Sequence, residues 1–464
     1  MIIDLLLKNG YVYNNDGSFI KADIAVSEGK IIYIDRPLKF KNVKVILDIK
    51  NKYVIPGTID PHVHIREPGY DQRETFESGT KAAAAGGVTT IIEHPISNPP
   101  PYSPEILNKR IKIAEENSYI DFCFYGAAGG DKIEYIKKMG NSDIVAFKTF
   151  LQKPNPDRVD EFIGLTMSST KEMKLGFAEI AKTKLICAVH AEDNKIIDEN
   201  IKKYINNTNI NHLIHTKIRP PEAEIQSVKK ILEITKNIDI TIEFVHISTD
   251  KAMELIKNAK SMGRNIILET CPHYLFKSKN DLKKLGPFAK SNPPLRCKST
   301  RDNLWKYIND GTVDFIGSDH APFTLSEKNK GLNNIFKAPA GFPGIEVRLP
   351  LILNAVLEDK LSFKRCIDLL STNPAKIFNI YPQKGIIKEG SDADFVILDL
   401  NEKTIIKKEK LYTKAKDISL LYDNEKLKGK IEYTIVRGQI IKSISEIPSK
   451  NRGWGSLIKS RTQI

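Results

Sequence analysis

A chain of 464 residues that is 41% hydrophobic and 28% charged has ordinary globular composition and length for a barrel with an accessory domain. Its net charge of +14 is lysine spread along the sequence, with no basic arm interleaved with aromatics. That argues against a nucleic-acid binder and for a lysine-coated surface with some attraction for anionic substrates. No run approaches the roughly 18 apolar residues of a membrane span, and five scattered cysteines without CxxC spacing argue for a reducing cytoplasm over a disulfide framework.

The first residues, Met1 to Lys8, carry an acid early and no cleavage site, so they read as a strand and not as a signal peptide. Residues 1–56 are short alternating runs cut by turns such as Lys8-Asn9-Gly10 and Asn14-Asn15-Asp16-Gly17, the pattern of a small β-structure. At that size it cannot easily close a core alone. A buried strand from Val54 to Ile59 is then expected to stop at a turn and present His62 and His64 on one face, because side chains alternate along a strand. From 57 to 380 the pattern becomes strand followed by helix. An alanine-rich helix from Glu74 to Ala85 ends at Gly86-Gly87, and strands follow at 88–92, 121–125, 144–151, 185–189, 241–245, 266–269 and 315–317. Helical stretches such as 105–117, 222–234 and 251–261 lie between them. About eight such units predict a (β/α)8 barrel whose parallel strands read as apolar runs. Residues 381–464 return to short strands, near Phe395 to Leu398 and Tyr433 to Val436, and end in a loop-like tail after Ile447. The two β-rich ends, 1–56 and 381–464, are expected to form one small sandwich beside the barrel.

The unusual polar residues of the barrel segment fall at the C-terminal ends of its strands, where barrel active sites are assembled. His62, His64, His190 and His246 offer four imidazoles from three strands, and Asp319 adds a carboxylate from a fourth. Lys148 sits inside the apolar run Ile144 to Leu151. A buried, unpaired ammonium costs several kcal/mol and sheds its proton; a neutral amine takes up carbon dioxide to give a carbamate whose two oxygens suit a pair of metal ions. Each residue has a plainer reading alone: strand-end histidines, satisfied core histidines, a snorkelling lysine. Together and in this order they point to a divalent metal centre.

These residues are set in motifs that resemble the cyclic amidohydrolases of the dihydroorotase, allantoinase and hydantoinase group. The matching stretches include Asp60 to Gly69, Ala83 to Thr90, Phe147 to Phe150, His190-Ala191-Glu192, Arg219 to Glu224 and His246-Ile247-Ser248. Cys271 to Leu275, Asn292 to Arg296, Ser318 to Pro322 and Gly390 to Asp394 complete a nearly end-to-end likeness. The resemblance implies two divalent ions, zinc being the expected metal, with His62, His64, carboxylated Lys148 and Asp319 on one and Lys148, His190 and His246 on the other. It further implies a hydroxide nucleophile available at neutral pH, and Asp319 as the base that later hands a proton to the departing ring nitrogen. A cytoplasmic homo-oligomer, dimer or tetramer, acting on a small cyclic ureide is the expected context.

Within the group, Arg66 resembles the arginine with which dihydroorotases grip the substrate carboxylate, and Asn292 fits the same pattern. Plainer partners for Arg66 are Glu67, Asp71 or Glu74. Where dihydroorotases carry Met-Pro-Asn this chain has His94-Pro95-Ile96. Phe147 to Leu151 and Asn379 to Gly385 look more like allantoinase or hydantoinase, yet no tyrosine follows Lys148 as it does in many hydantoinases. Dihydroorotase is the lead expectation, allantoinase and hydantoinase or dihydropyrimidinase the alternatives, and a non-catalytic scaffold relative a remote one. His94, His273 and His320 either orient ligands or substrate from behind or are structural, and His212 and His215 are expected to lie on the surface.

Overall fold

A computed structural model describes residues 2–154, 156–205 and 211–460 of the chain. Five strands precede the barrel: β1 (Ile3–Tyr13), β2 (Phe19–Ser27), β3 (Lys30–Asp35), β4 (Val43–Asp48) and β5 (Tyr53–Pro56). Eight more form the barrel: β6 (Thr58–Val63), β7 (Val88–Glu93), β8 (Asp121–Ala127), β9 (Ala146–Phe150), β10 (Ile186–His190), β11 (Ile242–Phe244), β12 (Ile266–Thr270) and β13 (Phe315–Ile316). The chain then returns to β14 (Phe395–Ile405), β15 (Lys426–Val436) and β16 (Gln439–Lys442).

Strands β6 to β13 neighbour one another in sequence order and all pair in parallel. The ring is drawn together by a parallel bridge between Val63 and His320, with the His64 N–H donating to the His320 carbonyl at 2.9 Å. This is the (β/α)8 architecture that the alternating pattern predicts. Helices at Phe76–Ala85, Pro104–Asn117, Pro221–Ile234 and Asp250–Ser261 fall within two residues of their expected starts, because Ser, Thr or Pro marks each beginning. Among the described residues no helix is long and apolar enough to cross a membrane.

The expected single strand from Val54 to Ile59 is in fact two. Gly57 divides them, and a Cβ there would lie 2.1 Å from the Thr89 hydroxyl, so no larger residue fits the turn-off point. β5 on one side joins the terminal sheet, pairing with β1 and antiparallel to β14 (Pro56 opposite Phe395), and β6 on the other enters the barrel. The two ends of the chain thus meet in one sheet, in the order β16-β15-β14-β5-β1-β2-β3, with β4 also on β1.

Two further contacts join the ends to the barrel. Lys384, fully buried, reaches Asp121 at the start of β8 as well as Asp392 at 3.0 Å and Asp394 at 2.7 Å. The tail, expected to be loop-like, lines up beside β8: the Phe122 N–H donates to the Ser456 carbonyl at 3.1 Å and the Ile458 N–H to Phe122 at 2.9 Å. Ile458 thereby packs among Ile59, Ile92, Cys123 and Phe378 inside the barrel floor. Residues 461–464 lie outside the described residues. Deleting residues from Gly453 onward should lower the melting temperature by several degrees, since Ile458 alone contributes about 1.5–3 kcal/mol of apolar burial. An unchanged thermal scan would show that the tail does not seal the floor.

Candidate active site

A cavity of about 680 Å³ opens at the C-terminal ends of the barrel strands. His62, His64, Arg66, His190, His246, Asn292 and Asp319 all line it. At its inner end His62, His64 and Asp319 form a group whose ligand atoms lie within 4.8 Å of one another. The Nε2 atoms of His62 and His64 stand 3.4 and 3.3 Å from the same Asp319 oxygen. Beside them, His190 Nδ1 and His246 Nε2 face each other at 2.9 Å, and the His62 and His246 rings are 5.4 Å apart.

Lys148 lies behind these groups on β9, in register with Ala188 two residues before His190. Its side chain is fully buried, and its Nζ has no hydrogen-bond partner. Burial pushes the amine down to about 8, against the opposing pull of Glu269, Glu243 and Asp319. A snorkelling lysine would reach water; this one does not. Burial likewise depresses His62 to about 3 and His64 and His246 well below the ordinary imidazole range, so each is neutral, the form that ligates a metal. Burial raises Asp319 to about 6, with His62 the first influence against it.

His246 and Asp319 both hold positive φ, 43° and 48°, a conformation that costs a non-glycine residue free energy. Both follow very short strands, β11 and β13, and both line the cavity.

The groups that fix these imidazoles were not evident from the sequence. Glu269, inside β12, accepts from His62 Nδ1 at 2.8 Å and from the backbone N–H of His246 at 3.0 Å. Glu192 binds His190 Nε2 at 2.9 Å and is itself held by Arg219 and Gln152. Such carboxylates orient a ring and make its other nitrogen a better ligand. The signal for Glu269 was available: an acid within the apolar run Ile266 to Thr270 is as anomalous as Lys148 in its own strand.

Of the other histidines, His94 lies flat on His62 with centroids 3.9 Å apart and planes 2° apart, its Nε2 on the Pro61 carbonyl. His320 accepts from the Gly344 N–H through Nδ1, so Nε2 carries the proton and donates to Glu74 at 3.2 Å. His273 contacts the rings of Tyr274 and Phe342 and leaves Nε2 unpartnered. His215 is a correction: it is buried, lines the cavity and meets the Ser291 carbonyl at 2.8 Å, while His212 is half-buried.

Arg66 pairs with none of its sequence neighbours. It is 2% exposed, its guanidinium lies 4.9 Å from the Phe323 ring, and Glu161 approaches its Nη1 only to 3.9 Å. Its Nε and Nη1 have no acceptor, and neither does Asn292 Oδ1 have a donor.

Comparison with known proteins identifies the family. Residues 53–441 match the model of the amidohydrolase family. A dihydroorotase of Methanosphaera stadtmanae is 34% identical over 451 residues, 96% of this chain and 94% of that protein. An L-hydantoinase of Paenarthrobacter aurescens is 31% identical over 462 residues, 99% of each. The solved structure of the L-hydantoinase (dihydropyrimidinase) from Arthrobacter aurescens superposes with a TM-score of 0.93 at 30% identity, covering 99% of this chain and 100% of that one. With a barrel of this order, imidazoles and a carboxylate gathered at its strand ends, and relatives of this kind along its whole length, the chain belongs to the amidohydrolase family, as a hydrolase of cyclic amides in the hydantoinase, dihydroorotase and allantoinase group.

Proposed function

We propose that the enzyme opens the ring of a cyclic ureide that carries a carboxylate, with dihydroorotate and N-carbamoyl-aspartate as the reacting pair, at a centre of two zinc ions. The donor set suits such a centre. Lys148 offers a buried amine with no partner, the site of carboxylation, and His190 Nδ1 and His246 Nε2 converge on one point. His62, His64, Lys148 and Asp319 would hold one ion and Lys148, His190 and His246 the other; together the ions would supply a nucleophile at neutral pH and polarise the scissile carbonyl.

The remaining steps belong to the chain's own residues. Asp319, on the cavity wall with a raised pKa, takes a proton as the tetrahedral centre forms and delivers it to the ring nitrogen as the C–N bond breaks. Glu269 and Glu192 hold the His62 and His190 rings against rotation. Ile96, Phe150 and Phe162 give the cavity an apolar side against which the ring lies and from which water is excluded.

Arg66 carries the choice of substrate. A buried guanidinium keeps its charge, and burial makes that charge costly unless an anion answers it. Arg66 lines the cavity and no hydrogen bond occupies its Nε or Nη1, so its guanidinium has donor capacity left for a substrate carboxylate. Arg66→Gln should lower kcat/KM for dihydroorotate by about 30-fold or more, the cost of truncating a buried charged contact, and should leave dihydrouracil within a few-fold.

A second reading, a neutral hydantoin or dihydropyrimidine ring, is favoured by Ile96 in the cavity wall and by the likeness to L-hydantoinase. Assays with dihydroorotate, hydantoin, dihydrouracil and allantoin separate the readings. Turnover of a neutral ring but not of dihydroorotate would overturn the first and install the second.

A further inference from the structure

Behind Arg66 lies a cluster of charge that the proposed reaction does not use. Arg73 donates to Glu161 at 2.9 Å and to Glu327 at 2.6 Å, and Arg158 donates to Glu161 at 2.8 and 2.5 Å. The guanidinium carbons of Arg66, Arg73 and Arg158 lie 4.9, 4.9 and 5.1 Å from the centroid of one ring, that of the fully buried Phe323. Three guanidinium groups therefore share two carboxylates. Arg73 and Arg158 have charged hydrogen bonds; among the described residues Arg66 forms an ion pair with Glu161 alone, at 3.9 Å. That gap is too long for a hydrogen bond and short enough for a strong Coulombic effect in a dry site.

From this arrangement we infer that Glu161 sets the anion selectivity of the cavity: it is a specificity-determining residue that weakens the hold of Arg66 on any carboxylate placed there. The inference rests on the carboxylate reading of Arg66. Burial alone would raise the Glu161 carboxyl, but Arg158, Arg66 and Arg73 outweigh burial and bring it down to about 2, so it is ionised throughout the working range. A fixed negative charge beside Arg66 repels an incoming anion while leaving a neutral ring almost untouched. A free anion is then held loosely, and only a carboxylate tethered to a ring that also fits the rest of the cavity stays bound. The position of Glu161 does not depend on that charge alone. Its neighbour Asp160 takes hydrogen bonds from Tyr70 and, at 3.0 Å, from Asn98, which anchor the same short turn.

The test uses the metal-loaded, full-length enzyme and two planar probes that differ by one carboxylate, orotate and uracil, with binding measured by calorimetry. Glu161→Gln keeps a hydrogen-bond acceptor and removes the charge. It should raise the preference for orotate over uracil by about tenfold or more. Glu161→Asp should return the preference toward that of the wild type, and Arg66→Gln combined with Glu161→Gln should abolish the gain. A merely structural Glu161 would shift both probes together, and equal shifts in the two would overturn the inference while leaving the carboxylate reading intact. An Arg66→Gln enzyme that keeps the wild-type preference between orotate and uracil would overturn the carboxylate reading itself, and the role of Glu161 with it.

Discussion

Lys148→Met is expected to lower kcat by ~10³-fold or more, through loss of the proposed metal pair and of the nucleophile it would supply, while the melting temperature of the metal-free protein stays level or rises. The two halves have separate causes. The side chain is fully buried with an unpartnered Nζ and an amine depressed by burial, so its polar end contributes nothing to folding that a methionine of similar length lacks. In the metal-free protein, activity lost through misfolding would bring a lower melting temperature and a broadened transition; loss of a side chain that serves only to hold metal would not. Metal analysis beside the thermal scan reads the difference, with the variant retaining fewer ions per chain than the wild type. A Lys148→Met enzyme with native turnover would end the proposal of a carboxylated lysine.

Asp319→Asn should cost ~10²–10⁴-fold in kcat, the range of a positioned acid–base group, with a smaller change in KM. Asparagine matches the carboxylate in shape and tolerates the positive φ of this position, so the loop that carries it should keep its course. What is lost is the oxygen that stands 3.4 and 3.3 Å from His62 and His64 as an anion and as a base. The pH dependence has a definite sign. Burial raises this carboxyl to about 6, so the base form is present above that value and lost below it. Activity of the wild type therefore falls as pH drops through about 6, or through a lower value once cations favour the carboxylate. The Asp319→Asn enzyme, having no such group, should lack this acid limb in kcat/KM. Persistence of the limb in the variant would assign it to another residue.

The barrel and the cavity-lining histidines were legible because they follow from local pattern. A strand-then-helix rhythm names the fold, and polar residues at strand ends stand out against apolar runs. Charges that act across the barrel were less so. Glu269 sits in its strand as His62 and His246 sit at the ends of theirs, but only closure of the ring brings it under both. The local sequence offers Glu67, Asp71 and Glu74 as partners for Arg66, yet Glu67 and Glu74 face other groups: Glu67 accepts from the Phe76 N–H, and Glu74 from His320 and Thr413. Glu161 comes from a separate turn after β9, and nothing local joins the two. His215 reads as a surface residue because Thr216 and Lys217 follow it in a short segment; the Ser291 carbonyl that satisfies it arrives from another loop. The split at Gly57 was hidden for a different reason: the apolar run continues through it, while the pairing partner changes from the terminal sheet to the barrel.

The pairing of β5 with β14 has a consequence for synthesis on the ribosome. Pro56 and Phe395 sit opposite each other, so the first five strands leave the exit tunnel long before the strand that flanks them exists. At ~5–20 residues per second the interval is on the order of tens of seconds. During it the edge of β5, with Val54 and Ile55 destined for burial, is an open template for the wrong partner. The whole barrel must be made, and β14 delivered, before that edge is covered. Nascent chains stalled short of residue 395 should therefore be the species that chaperones hold and that aggregation claims.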